Sequence, residues 1–278
     1  MRIAPRSLVA LFFIGTLVAC GGEAPPDAAE EAATATHAGV GETSEYAWVS
    51  QGTEAGETTV VRTGDGRVTV RSFVHWNNRE YSVDSELQLS ADGIPVAQRI
   101  TGISAFGAPI DETFTFQDGV ASWSTAGESG SVTTDNPGYY VATEFGAMGL
   151  TELVRAASRS MDGEIALLPS GAARVERLTS ASVGTPDGPQ SLSLYAIFGL
   201  SFTPAYAWFD DDLQVAVIDM AGWMSMHPKG WDAAVVDELS ALQTEQDAAM
   251  IERISGELAH PLDGPLVFAN VDVVDVED

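Results

Sequence analysis

RVTVRSFV, residues 67–74, alternates between two kinds of side chain with a period close to two. The even-numbered residues are apolar or small, namely Val68, Val70, Ser72 and Val74. The odd-numbered residues are mostly charged or polar, namely Arg67, Thr69, Arg71 and Phe73. This alternation is typical of a β-strand. We therefore expect residues 67–74 to form one strand of an antiparallel sheet.

Turn signals at regular spacing extend this interpretation over residues 45–142. Asn77-Asn78 separates the first run from a second strand-like run at 80–89, and asparagine tolerates the positive φ of a tight hairpin. Asp92-Gly93 and Asp118-Gly119 are two further turn signals, each followed by a strand-like run. The pattern predicts an antiparallel meander.

The second half of the chain mixes helices and strands. Helical spacing of apolar residues predicts helices over 143–160 and 231–258, and the segment 184–190 has the composition of a loop. Strand character returns in six runs: 164–171, 172–183, 190–199, 201–209, 213–219 and 266–276. The predicted fold class is α+β, with a mainly antiparallel curved β-sheet or open barrel and one or two packed helices.

The N-terminus, MRIAPRSLVALFFIGTLVAC, resembles a bacterial lipoprotein signal that ends in the lipobox Leu17-Val18-Ala19-Cys20. Its apolar core is too short to span a bilayer, so residues 1–19 are expected to be a cleaved signal peptide. The resemblance implies that Cys20, the single cysteine, accepts diacylglycerol. An ordinary secretory signal with a chance cysteine is the alternative. Gly21 after the cysteine resembles an outer-membrane address, so the predicted location is lipid-anchored and facing the periplasm.

The composition of the chain after residue 19 separates a tether from a folded domain, and its net charge restricts the possible binding partners. Residues 20–44 are rich in Ala, Glu, Pro and Gly and contain no aromatic residue, which predicts a flexible acidic tether before a β-rich domain at 45–262. The formal net charge of −27 argues against nucleic acid and against anionic lipid headgroups as partners. The expected partner is the membrane, through the N-terminal diacylglyceryl-cysteine.

Clustered catalytic or metal-binding residues are missing from the sequence. His37, His75, His227 and His260 are far apart, so no H-x-H or H-x-x-x-H metal motif exists. No G-x-S-x-G elbow activates a serine. We therefore predict no catalytic residue, no cofactor site and no metal site in this chain.

Aromatic residues concentrate at 195–209. Phe202, Tyr206 and Trp208 share one parity and would face the same side of an antiparallel sheet. Such a face is suited to lining an apolar ligand cavity, or to a core packed against the helix predicted at 231–258.

The last thirteen residues, LVFANVDVVDVED at 266–278, resemble the opening strand of amidohydrolase-superfamily proteins. Upstream stretches at 166–171, 194–200 and 204–210 resemble the N-terminal region of exported bacterial members. The resemblance implies that residues 263–278 begin a truncated β-sandwich and that a barrel domain follows. A divalent metal is expected only in such a full-length parent, because no residue here matches a metal ligand of that family.

Two hypotheses about function follow. The first is a membrane-anchored, non-catalytic N-terminal domain of an amidohydrolase-like metal-dependent hydrolase, inactive alone. The alternative is a standalone lipoprotein that binds an apolar ligand or a protein partner through a curved β-sheet.

Overall fold

The computed structural model describes residues 41–144, 146–260, 262 and 264–272. These residues form fifteen strands, which make one continuous sheet, and two helices. The strands are β1 Glu42–Ser50, β2 Thr53–Arg62, β3 Arg67–Trp76, β4 Arg79–Leu89, β5 Pro95–Ile103, β6 Pro109–Gln117, β7 Val120–Ser124, β8 Ser129–Thr133, β9 Tyr139–Tyr140, β10 Glu164–Leu168, β11 Ala172–Thr185, β12 Gly188–Phe198, β13 Ala205–Phe209, β14 Val215–Asp219 and β15 Met224–Pro228. The helices are α1 Gly146–Ala157 and α2 Ala233–Leu258.

The expected strand at 67–74 is confirmed as β3, which pairs antiparallel with β2 and β4. The alternation in sequence corresponds to an alternation in burial. Val68, Ser72 and Val74 are buried and Val70 is half-buried, whereas Arg67, Thr69, Arg71 and Phe73 are exposed. The turn to β4 consists of Asn77 and Asn78, whose φ angles are 48° and 57°. Positive φ at both central residues is the geometry that matches the twist of a two-residue hairpin.

The sheet is built from two meanders joined in the middle. Its strand order is β8-β7-β6-β5-β4-β3-β2-β1-β15-β14-β13-β12-β11-β10-β9, so β1 pairs with the last strand, β15. Every pair is antiparallel except β9 with β10. The predicted fold class, α+β with a mainly antiparallel open sheet and two helices, is confirmed.

Helix α1 packs into the main core, which takes residues from both meanders. Leu153 and Val154 are fully buried there beside apolar side chains of the strands on either side. Helix α2 covers the opposite face of β12–β14, where Val236 and Leu239 pack on Leu194, among others. Asp232 begins α2 as its N-cap, because the side chain accepts a hydrogen bond from the backbone N–H of Ala234 at 2.9 Å.

The edge strand β9 packs through side chains on the other end of the curved sheet. Tyr140 stacks on Phe114 of β6 with ring centroids 4.2 Å apart. The Tyr140 hydroxyl also donates a hydrogen bond of 2.6 Å to the buried carboxylate of Glu112. These contacts connect β9, at one edge of the sheet, to β6 near the other edge.

Several expectations need correction. Strand β15 was not predicted, and it places His227 in a buried strand position. The expected loop at 184–190 is a tight hairpin, because β11 and β12 pair as far as Thr185 with Gly188. The expected strand at 266–276 is not formed over its described part, residues 266–272, which are exposed and irregular.

The predictions for the N-terminus fall largely outside the described residues. This applies to the signal peptide at 1–19, to Cys20 and to most of the tether at 20–44. The described part of that tether is partly ordered, since β1 already begins at Glu42. Neither helix of the described residues has the length and apolar character that a membrane span requires.

Candidate ligand cavity

The face of β3 that the sequence marks as apolar lines a cavity of about 370 Å³. Val68, Val70, Ser72 and Val74 all belong to its wall because alternate side chains of a strand point to the same side. Strand β4 contributes Tyr81, Val83, Ser85 and Leu87 by the same rule. The rest of the wall includes Met148 and Leu150 of α1, Ile218 of β14 and Met224 of β15. We call this space the apolar cavity.

Three tryptophans give the apolar cavity a broad aromatic surface. Trp48, Trp76 and Trp223 line it from β1, β3 and the turn between β14 and β15. Trp76 and Trp223 meet edge to face, with ring centroids 6.0 Å apart and an interplanar angle of 78°. Their indoles provide large contact area and a fluorescence signal at the site itself.

The polar side chains of the cavity floor are bonded to one another. The indole N–H of Trp48 donates to the Thr58 hydroxyl at 2.9 Å, and that hydroxyl is 2.7 Å from the hydroxyl of Ser72. These three buried groups therefore satisfy each other. A ligand at this position is expected to make contacts that are mainly apolar.

Carboxylates lie at two places on the wall, Glu144 and Glu152. Burial raises the pKa of the Glu144 carboxyl, whereas the nearby hydroxyl of Tyr81 acts in the opposite direction. The carboxylate of Glu152, which is 5% exposed, accepts a hydrogen bond of 2.9 Å from Nε of Arg62. The charge of Glu152 is thus compensated from outside the apolar cavity.

The loop that carries Glu144 is fastened to the sheet by Glu112. Both carboxylate oxygens of Glu112 accept from the backbone N–H of Thr143 at 3.0 Å, in addition to the bond from Tyr140. Glu112 is 2% exposed. Charge-assisted hydrogen bonds of this kind are stronger than neutral ones, so they fix this wall of the cavity before any ligand arrives.

The structure does not place Phe202, Tyr206 and Trp208 together on the single face that the sequence predicts. Phe202 lies in the loop before β13 with its side chain fully exposed, whereas Tyr206 and Trp208 pack in the core beneath α2. None of the three lines the apolar cavity. Trp208 and Tyr206 follow the alternative interpretation, a core packed against the second helix.

Among the described residues no group of three or more His, Cys, Asp or Glu side chains is placed to hold a metal ion. His227 is buried, and this burial lowers its pKa. His75 is exposed on the outer face of β3. The histidines of this part of the chain therefore do not converge on the apolar cavity.

Comparison with known proteins gives similar solved structures, among them the two that follow, but no family. No family model matches the chain, and no curated protein matches it. A β-barrel-like protein of Domain of Unknown Function DUF1849 from Brucella abortus is 12% identical, with a TM-score of 0.44, over 68% of this chain and 95% of that one. A DUF1089 family protein from Pseudomonas aeruginosa is 13% identical, with a TM-score of 0.34, over 60% of this chain and 90% of that one.

The expected amidohydrolase parent is wrong. The two similar solved structures named above are a β-barrel-like DUF1849 protein and a DUF1089 family protein, and neither is an amidohydrolase. The stretch that suggested the resemblance also departs from its expected structure, because residues 266–272 lie in no strand. A short apolar run with repeated Val and Asp is too common a pattern to identify a family.

Proposed function

We propose that this protein binds a molecule with an alkyl or acyl chain in the apolar cavity. The observation that carries the proposal is the cavity itself, about 370 Å³ in volume and walled mainly by Val, Leu, Ile, Met and Trp side chains. Small-molecule sites generally have volumes of about 300 to 1,000 Å³ and predominantly apolar walls. The size and the lining both agree with that class of site.

The polar groups of the wall favour a hydrocarbon ligand over a polar one. Trp48, Thr58 and Ser72 already use their hydrogen-bonding groups on one another. A polar ligand would have to give up its bonds to water and find few replacements, which is unfavourable. An alkyl chain loses nothing and gains about 0.8 kcal/mol for each buried methylene.

The predicted export of the chain and its lipid anchor at Cys20 remain proposals of the sequence. They would place the apolar cavity in the cell envelope, where molecules with acyl chains are abundant. The binding proposal does not depend on them, since it is argued from the wall of the cavity.

A series of straight-chain alcohols from hexanol to dodecanol tests the proposal. Binding is followed by the fluorescence of Trp48, Trp76 and Trp223 and by calorimetry. We expect the Kd to fall about fourfold for each added methylene until the cavity is filled, which corresponds to about 0.8 kcal/mol per group. Triethylene glycol is the polar control. Absence of binding, or a Kd that does not change with chain length, would overturn the proposal.

A further inference from the structure

A second cavity, of about 500 Å³, is lined by four arginines: Arg62, Arg67, Arg155 and Arg159. We call it the arginine pocket. The chain has only 13 Lys and Arg against 40 Asp and Glu, so four guanidinium groups around one cavity are a large share of its cations. The side chains of Glu152 and Asp212 also line the pocket, which leaves the guanidiniums in excess.

Arg62 is the buried member of this set. Its side chain is 10% exposed and its Nε donates to Glu152, but Nη1 and Nη2 are buried and have no hydrogen-bond partner. Unsatisfied buried donors are uncommon in folded proteins, and a charged one is especially unfavourable. Arg62 lines the arginine pocket, so an acceptor that reaches these two nitrogens from the pocket would remove this penalty.

Arg155 and Arg159 are held in position by backbone carbonyls. Arg155 donates from Nε to the carbonyl of Leu213 at 3.2 Å and from Nη2 to that of Asp212 at 3.1 Å. Arg159 donates from Nη1 to the carbonyl of Asp92. Gly93 permits this, because a Cβ at that position would overlap the Arg159 guanidinium. Carbonyl partners orient the two guanidiniums, and Nη1 of Arg155 also lies 3.7 Å from the carboxylate of Glu152.

Hydroxyl groups complete the lining. Thr63, Ser90 and Ser158 belong to the same wall, although the Thr63 hydroxyl already donates to the carboxylate of Asp65. Ser90 accepts a hydrogen bond from the backbone N–H of Ile94 at 3.2 Å, which leaves the proton of its own hydroxyl available to a ligand. Guanidinium and hydroxyl donors that converge from several elements suit a group with acceptor oxygens on several sides.

We propose that the arginine pocket binds a phosphoryl group. A phosphate monoester presents three acceptor oxygens and nearly two negative charges, which matches several guanidinium forks better than a carboxylate with two oxygens and one charge. Free phosphate and the headgroup of a phospholipid offer the same chemistry. A phospholipid would place its headgroup beside the apolar cavity, because Val68 and Glu152 line both that cavity and the arginine pocket.

Titration calorimetry of the full chain with inorganic phosphate tests the inference. The variants are Arg67→Gln and Arg159→Gln, whose side chains are exposed, so each is expected to fold, which a circular dichroism melt verifies. Arg71→Gln is the matched control, since Arg71 lies on the same strand as Arg67 and pairs with Asp84 on the outer face. We expect each pocket variant to weaken phosphate binding about tenfold or more and the control to leave it unchanged.

Two results would overturn the inference: no binding of phosphate to the unsubstituted chain, or equal weakening by the Arg71→Gln control. Acetate, titrated in parallel, is expected to bind more weakly than phosphate, and a preference for acetate would also contradict the inference. Dodecyl phosphate then identifies the source. Tighter binding than that of phosphate supports a lipid headgroup, and equal binding supports free phosphate. Because inorganic phosphate has no alkyl chain, its binding is independent of the function proposed for the apolar cavity.

Discussion

Replacing Val70 by phenylalanine is expected to block the apolar cavity. Val70 lies near the middle of β3, opposite Val60 of β2 and Ser85 of β4, with its side chain in the cavity wall. Phenylalanine adds roughly four carbon atoms to that side chain, which would displace a similar number of ligand methylenes. At about 0.8 kcal/mol each, the loss is about 3 kcal/mol, so the Kd for dodecanol rises on the order of 100-fold.

The neighbouring residue supplies the control. Thr69→Phe introduces the same side chain on the exposed face of the same strand, one residue away. Calorimetry with dodecanol measures both variants, and thermal melts establish that both are folded. We expect Thr69→Phe to bind like the unsubstituted chain. If Val70→Phe retains full affinity, or if both variants lose affinity equally, the assignment of the ligand to this cavity is refuted.

Three further predictions concern pH, packing and the N-terminus. Burial raises the pKa of the Glu144 carboxyl above its ordinary 4.5. The folded chain therefore keeps the proton of this carboxyl to a higher pH than the unfolded chain does. As a result, the free energy of unfolding should fall as the pH rises through the raised pKa. Urea denaturation from about pH 4 to about pH 7 should show a smaller fall in Glu144→Gln, and identical pH dependence would contradict this reasoning. Leu239→Ala, at a fully buried position of α2, should lower the free energy of unfolding by about 2 to 5 kcal/mol, whereas Leu258→Ala, 71% exposed on the same helix, should change it by less than about 0.5 kcal/mol. Cys20→Ala should abolish metabolic labelling of the protein by a palmitate analogue, and labelling that persists would disprove the predicted lipid anchor.

Local signals in the sequence were sufficient for much of the sheet. The parity of residues 67–74 identified the buried face of β3 because period-two alternation depends only on neighbouring residues. The turn at Asn77-Asn78 was predictable for the same reason, since asparagine tolerates the positive φ that the hairpin requires. Helix α2 followed from its apolar spacing and ends at Leu258 as expected.

Features that depend on distant pairing were missed. Strand β15, MSMHP, is only five residues long and contains no β-branched residue, and it is a strand because β1, far away in the chain, pairs with it. The aromatic cluster at 195–209 showed that apolar surface is buried there, but parity does not distinguish a cavity wall from a core covered by a helix. Helix α2 covers Trp208, so that surface became core.

The two cavities also depend on tertiary structure. Val68 and Val70 were identified as facing one side, but whether opposing side chains fill the space or leave it open depends on α1 and the far strands. The arginine pocket has no signal in the sequence at all. Arg62 and Arg67 flank one turn, Arg155 and Arg159 lie at the end of α1, and only the packing of α1 against the sheet brings them together.

Native mass spectrometry of the chain after gentle extraction from its source cells tests the central proposal most directly. We predict that a fraction of the protein carries a bound molecule with an alkyl or acyl chain, and that the Val70→Phe variant lacks this molecule whereas Thr69→Phe retains it. A chain that is always free of such a molecule, and that stays free after incubation with saturating dodecanol, would contradict the proposed function.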